Sequence, residues 1–349
     1  MGCAKLSIQK LELLELRWYV ARSPIDGNTI KTMTSVEICA GAGGQSRGLE
    51  RAGFGHEALV EIDGFCCATL RDNRPQWNVL HGDVCQFDGK PYRGVELLAG
   101  GVPCPPFSVA GKQLGANDER DLFPEALRLT DEIAPRAVML ENVRGFLDPK
   151  FEVYRKRLFQ RFRKMGYVAD IKLFHASDYG VPQLRPRIVI VALRTKDVDF
   201  FTWPDKLQTT PPTVGDTLVD LMGANGWQYA EEWAAGAQGI GPTIVGGSKK
   251  HGGPDLGPTR ARNAWAQLGV NGGSIADLAP EKDFEGMPKL TVRMVARIQG
   301  FQDDWHFTGR KTAAYRQVGN AFPPPVAEAV GRSIRATFEL SAKRKVLVA

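Results

Sequence analysis

From residue 35 the chain alternates short apolar, strand-like runs with stretches whose apolar positions recur at helical spacing. In order these are "SVEICA", "QSRGLERAGF", "HEALVEID", "FCCATLRDN", "VELLAG", "FPEALRLTDEI", "RAVMLEN", "FEVYRKRLFQRFRKMG", "YVADIKLF" and "RIVIVAL". Such alternation predicts βαβ units in an α/β fold: a mainly parallel, doubly wound sheet with helices on both faces. Near residue 201 the rhythm stops, and Gly, Pro and Trp dominate up to about residue 286. A stretch of that length is either a disordered linker or a small domain of short strands and loops. Trp203, Trp227, Trp233 and Trp265 favour the packed domain, since solvated linkers are poor in aromatics. Helical patterning resumes with "TVRMVARIQGF" and "PPPVAEAVGRSIRATFEL". The expected division is therefore an N-terminal extension (1–34), a main α/β domain (35–200), an irregular domain (201–286) and C-terminal helices returning to the main domain (287–349). Within the extension, Leu11, Leu14 and Trp18 suggest a short amphipathic helix.

Composition narrows the class without deciding it. The 349 residues carry a net charge of +6 and are 43% hydrophobic, enough for a large core and compatible with a polyanionic partner. Cys3, Cys39, Cys66, Cys67, Cys85 and Cys104 form no Cys-x-x-Cys pair, and the five histidines complete no zinc set. Free thiols and no bound metal are expected. No apolar run approaches the ~20 residues of a membrane span, and the start is too mixed in charge for a signal peptide. A soluble, cytoplasmic protein is the expectation.

The chemistry gathers where strands are expected to end. "GGVPCPPFS" holds Cys104 between prolines that fix φ and remove donors, so the thiol sits on a stiff loop after an apolar run. The first strand enters "CAGAGG", whose Gly41, Gly43 and Gly44 permit close approach of a ligand to the backbone. Glu61 stands where a carboxylate can accept from ribose hydroxyls, and Asp83 where one can take an adenine amine. The spacing Gly41-x-Gly43-x-x-Ser46 lacks the third glycine of the dinucleotide fingerprint, so S-adenosylmethionine fits better than a nicotinamide cofactor. "MLENVRGF" delivers Glu141 and Asn142 at the carboxyl end of a strand, the edge at which open α/β sheets bind ligands. Gln183, Arg185 and Arg187 alternate at the entrance to another strand, which places them on one side of the chain. Asn320 follows Gly319 before a proline run that opens a helix.

In order, "CAGAGG", "VEID", "GDV", "GGVPCPPFS", "ENV", "QLRPR", "RMVARIQGFQDDW" and "YRQVGNAFPPP" resemble the DNA (cytosine-5) methyltransferase family over residues 35 to 335. The resemblance implies a Rossmann-like S-adenosylmethionine-dependent fold with a smaller target-recognition domain at 201–286. It makes Cys104 the nucleophile on carbon 6 of a flipped cytosine in duplex DNA. Glu141 acts at the ring nitrogen and exocyclic amine, and Arg187 at the base carbonyl. Arg185 and Gln183 support that site. For the cofactor it points to Cys39, Ala40, Gly41, Ala42, Gly43 and Gly44, to Glu61 and Ile62, to Asp83 and Val84, and to Pro103 and Asn320. Cys39 and Ile62 replace aromatic residues common at those places. Asn142, Lys249, Lys250, Arg260 and Arg262 are the remaining candidates for contact with DNA. The implied partners are duplex DNA, bound as a monomer, and a separately acting cognate endonuclease. Two alternatives are RNA methylation, whose usual Cys-Phe-Thr signature is absent, and an idle DNA-binding paralogue.

Overall fold

A computed structural model describes residues 32–103, 121–246 and 253–348. The residues before 32, including the candidate helix around Leu11 and Trp18, lie outside it. Strands β1 (Met33–Ile38), β2 (Phe54–Glu61) and β3 (Val79–His81) are joined by helices α1 (Gly44–Arg51) and α2 (Gly64–Asn73). Strands β4 (Leu97–Gly100) and β5 (Ala137–Val143) flank α3 (Phe123–Ile133), and α4 (Glu152–Lys164) leads to β6 (Tyr167–His175) and β7 (Pro186–Arg194). The sheet order is β3-β2-β1-β4-β5-β7-β6. All pairs from β3 to β5 are parallel, whereas β7 runs antiparallel to both β5 and β6. The mainly parallel sheet is thus as expected, with one reversed strand. The first strand begins at Met33, so the expected boundary at 34/35 falls inside β1.

Alternate residues of each strand face opposite layers. Val36, Ile38, Val138, Leu140, Ile188 and Ile190 pack with Phe123, Leu127, Leu158 and Phe162 of α3 and α4. Leu97, Ala99, Met139, Val189 and Val191 pack with Leu49 of α1 and with Val326, Val330 and Phe338 of α10 (Pro324–Val348). Gly44 and Gly48, one turn apart on α1, let that helix lie against α10 and the loop before it. A Cβ at Gly48 would stand 2.4 Å from Pro324 O, and one at Gly44 would stand 2.2 Å from Phe322 O.

The irregular region is packed, and its short elements are helical where strands had been expected. Among its described residues are α5 (Val214–Met222), α6 (Ala230–Gly236) and α7 (Thr259–Ala266), with only isolated bridges in place of strands. The physical reason is local. Thr213 and Asp216 form a capping box that starts α5, a stop-and-start signal that dense Gly and Pro obscure by eye. Trp227, Trp233 and Trp265 are buried in one cluster with α8 (Val292–Ile298) and with Tyr315 and Val318 of α9 (Lys311–Asn320). Trp203 packs instead on Phe174 and Phe201 at the sheet.

Candidate active site

The site is assembled at the carboxyl edge of β1, β2, β4 and β5. After β1 the chain turns through Cys39 and Gly41, both left-handed at φ 52° and 56°, and Gly43 at φ 90° precedes α1. A non-glycine residue at positive φ is held there by its surroundings, as at many ligand-binding turns. Glu61 ends β2 and buttresses this turn. Its Oε2 accepts from the Gly41 N–H and its Oε1 from the Asp63 N–H, each at 2.7 Å.

A cavity of about 260 Å³ opens between this turn and α9. Cys39, Ala40, Gly41, Ala42, Gly44, Glu61, Glu141 and Asn320 of the expected set all line it. Arg316 faces Asp63 across it at 3.8 Å. The sequence reading missed Glu37 and Gln45, which also line it. Both are buried, and neither the Glu37 carboxyl nor the Gln45 amide has a hydrogen-bond partner. Burial raises the Glu37 pKa to about 8; the nearby Ser46 hydroxyl opposes the rise and the Glu61 charge adds to it. Buried polar atoms are normally paired, so an orphaned pair in a cavity wall marks a place made for a polar ligand. The available signal was a glutamate inside the apolar run "SVEICA", immediately before the glycine turn.

Other expected residues stand outside the cavity lining. Ile62 and Asp83 are exposed, and the Asp83 carboxylate accepts from the Cys85 N–H at 2.9 Å. Val84 is buried. Gly43 makes room for Trp305, whose ring would lie 2.5 Å from a Cβ there. Asn142 ties β5 to the segment after β4 by donating to Val102 O at 2.9 Å. Pro103 is the last described residue of that segment, and Cys104 lies outside the described residues, as do Lys249 and Lys250. Arg260 and Arg262 are exposed on α7.

The reversed direction of β7 brings Arg187 to Glu141. In the β5–β7 register Glu141 opposes Val189 and Val143 opposes Arg187, so Glu141 and Arg187 are diagonal neighbours on one face. Arg187 Nε reaches Glu141 Oε1 at 2.8 Å. Burial raises the Glu141 pKa, and Arg187 and Arg185 oppose the rise. Gly101, at the start of the segment that carries Cys104, has its missing Cβ position 3.5 Å from Glu141 Oε2. Gln183 and Arg185 face inward. The Arg185 guanidinium, fully buried, donates to Ile244 O at 2.6 Å, Gly319 O at 2.8 Å and Ala321 O at 3.0 Å. Gln183 donates to Gln299 Oε1 at 2.7 Å and accepts from the Ile244 N–H at 3.0 Å. These two side chains therefore lock the irregular region to α9, and Arg187 alone of the three meets Glu141.

Burial pushes up the thiols of Cys39, Cys66 and Cys67, and desolvation together with the neighbouring Asp83 carboxylate pushes up that of the exposed Cys85. All four are free. Among the described residues no group of His, Cys, Asp and Glu could hold a metal ion, and no helix is long and apolar enough to cross a membrane.

Residues 33–336 match the family described as C-5 cytosine-specific DNA methylase. The chain is 58% identical over 317 residues to the Type II methyltransferase M.NaeI of Lentzea aerocolonigenes, covering 89% of this chain and 76% of that relative. It is also 58% identical over 304 residues to M.NgoMIV of Neisseria gonorrhoeae, covering 86% and 96%. A prophage-encoded DNA modification methyltransferase from Escherichia coli shares the fold at a TM-score of 0.63 and 24% identity, covering 88% of this chain and 99% of that one.

Proposed function

The chain belongs to the C-5 cytosine-specific DNA methylases and methylates cytosine at carbon 5 in a specific DNA sequence, and we propose that it does so on a base turned out of the duplex, through a covalent adduct of Cys104. The observation that carries this reading is Glu141, paired to Arg187, in the wall of the cavity that the glycine turn also lines. A base inside a duplex cannot reach such an edge, so extrusion is required.

S-adenosylmethionine is the methyl donor that the family implies, and when bound it supplies an electrophilic methyl group. The wall fits it: Glu61 can accept from ribose hydroxyls, and the unpaired Glu37 and Gln45 groups suit the charged methionine end beside Asn320. Asp83 and Ile62 would meet the adenine at the rim. In the reaction, the Cys104 thiolate adds to carbon 6 and the displaced π pair moves toward carbon 5 and the ring. Glu141, whose pKa burial raises against the pull of Arg187 and Arg185, donates a proton to ring nitrogen 3 as charge builds there. Arg187 holds both Glu141 and the base carbonyl. After carbon 5 accepts the methyl group, its remaining proton passes to solvent, the freed pair re-forms the double bond between carbons 5 and 6 as the carbon–sulfur bond breaks and releases the Cys104 thiolate, and nitrogen 3 returns its proton to Glu141. Arg185 and Gln183 position this assembly, while Lys249, Lys250, Arg260 and Arg262 contact phosphates. We extend the proposal to a cytoplasmic monomer acting beside a separate endonuclease of matching target.

The test begins by mapping 5-methylcytosine in DNA from expressing cells to obtain the target. Duplex with 5-fluorocytosine at that position should then become covalently attached, because fluorine cannot leave as the proton does. Attachment should disappear in Cys104→Ser; an adduct that persists there refutes the nucleophile.

A further inference from the structure

Helix α4 carries charge that the fold does not use. Its sequence, "EVYRKRLFQRFRK", sets six basic residues against the single acidic Glu152, a net +5 beside the chain's total of +6. Leu158 and Phe162 turn inward, with Tyr154 and Phe159 partly covered beside them. The opposite arc exposes Lys156, Arg157, Gln160, Arg161, Arg163 and Lys164. Arg157, Arg161 and Lys164 stand at i, i+4 and i+7, one stripe down that arc. Lys156 pairs with Glu152 at 2.6 Å. Among the described residues no carboxylate pairs with Arg157, Arg161, Arg163 or Lys164. Other helices of the chain differ. Arg128 of α3 pairs with Glu125 and Glu132, Arg47 of α1 with Glu50, and Arg332 and Arg335 of α10 with Glu328 and Glu339. Like charges one turn apart weaken a helix, so folding stability does not account for the stripe on α4.

We propose that the outer face of α4 is a second, sequence-independent DNA surface, which engages the phosphates of another duplex segment while the catalytic edge holds the target. The occupant follows from charge and topology. The chain methylates DNA, and cations spread along about 20 Å of helix meet a polymer with one negative charge per ~1.7 Å. Arg and Lys contacts to phosphate hold a duplex without reading its bases. Helix α4 connects β5 to β6, and both strands run antiparallel to β7. Those two strands thus point the same way, and the helix between them returns from the carboxyl edge, where Glu141 lies, toward the amino edge. A duplex seated at the catalytic edge would need a sharp bend to follow α4, and duplex DNA is stiff over ~150 base pairs. A second segment lies along the helix unbent.

The test combines Arg157→Gln, Arg161→Gln and Lys164→Gln in one protein. All three side chains are exposed and glutamine is a comparable helix former, so the melting profile should match the parent's. Binding and methylation of a short duplex just spanning the mapped target should stay within about twofold of the parent. Release from that duplex, carrying a fluorophore, is then followed against rising amounts of unlabelled duplex that lacks the target. For the parent the release rate should climb about fivefold over a tenfold range of chase, because the incoming duplex binds α4 before the first one leaves. Three phosphate contacts at ~0.9 each predict that doubling the salt cuts the slope of this climb about sixfold. The triple variant should release at one rate whatever the chase. Lys206→Gln with Arg332→Gln, which removes charges already paired to Asp178 and Glu328, should behave as the parent does. A parent rate independent of chase, or an equal climb in the triple variant, overturns the proposal. So does a poly-glutamate chase that acts as strongly as duplex, since that makes an acidic protein the occupant. Lost binding of the short duplex by a folded triple variant also overturns it, by placing α4 in the cleft that holds the target itself.

Discussion

Replacing Glu37 by glutamine should make the protein less sensitive to alkaline pH. Glu37 lies on the central strand β1, buried, with both carboxyl oxygens unpaired. Burial raises its pKa from 4.5 to about 8. The native state therefore keeps a proton that the unfolded chain releases between those values, and stability falls as pH rises through that window. From about pH 5.5 to about pH 8.5 this single group costs about 3 kcal/mol, at ~1.4 kcal/mol per pKa unit. Glutamine has the same shape and no ionisation, so its own burial cost is the same at every pH. His56, whose pKa burial lowers to about 4, weakens the fold below its ordinary 6.5, but it does so in both proteins and cancels from their difference. The assay is urea unfolding of both proteins at a series of pH values, without ligand. The stability of Glu37→Gln relative to the parent should rise by about 3 kcal/mol between the two ends. A difference that stays level within about 0.5 kcal/mol, or that widens toward acid, would refute a protonated Glu37.

Arg187→Ala removes a charge that opposes the raised pKa of Glu141, so Glu141 should hold its proton to still higher pH. The kcat profile should lose its alkaline decline first, and kcat/KM should drop about 100-fold or more through lost base positioning. Arg185→Met leaves the carbonyls of Ile244 and Gly319 without their buried donor, while Ala321 O keeps the Gln299 amide. At about 1–3 kcal/mol for each such group the urea midpoint should fall markedly. Gly48→Ala would place a Cβ against Pro324 O and the Ala327 Cβ, so thermal melting should show a loss of about 1–3 kcal/mol by overpacking.

What could be read from the chain, and what could not, follows from which properties a linear pattern carries. "FPEALRLTDEI" coincides with Phe123–Ile133 because helical period, a proline in the first turn and flanking breakers are all local. Strand direction is not local. "RIVIVAL" is buried on both faces and would look the same running either way, yet the Glu141–Arg187 contact exists only because β7 is reversed and Val143 opposes Arg187. The same blindness affects the alternating triplet. Period two placed Gln183, Arg185 and Arg187 on one side, but the sequence contains nothing of the carbonyls that α9 and the segment around Ile244 bring to Arg185. Two of the three became the joint between regions, and the third became part of the site. Glu37 escaped for a related reason. A charged residue inside an apolar run reads as the solvent side of a half-buried strand, and only sheet order shows that β1 lies between β2 and β4 with no solvent side. Residue types at strand ends thus identify a chemistry, while the order and direction of the strands decide which of those residues meet.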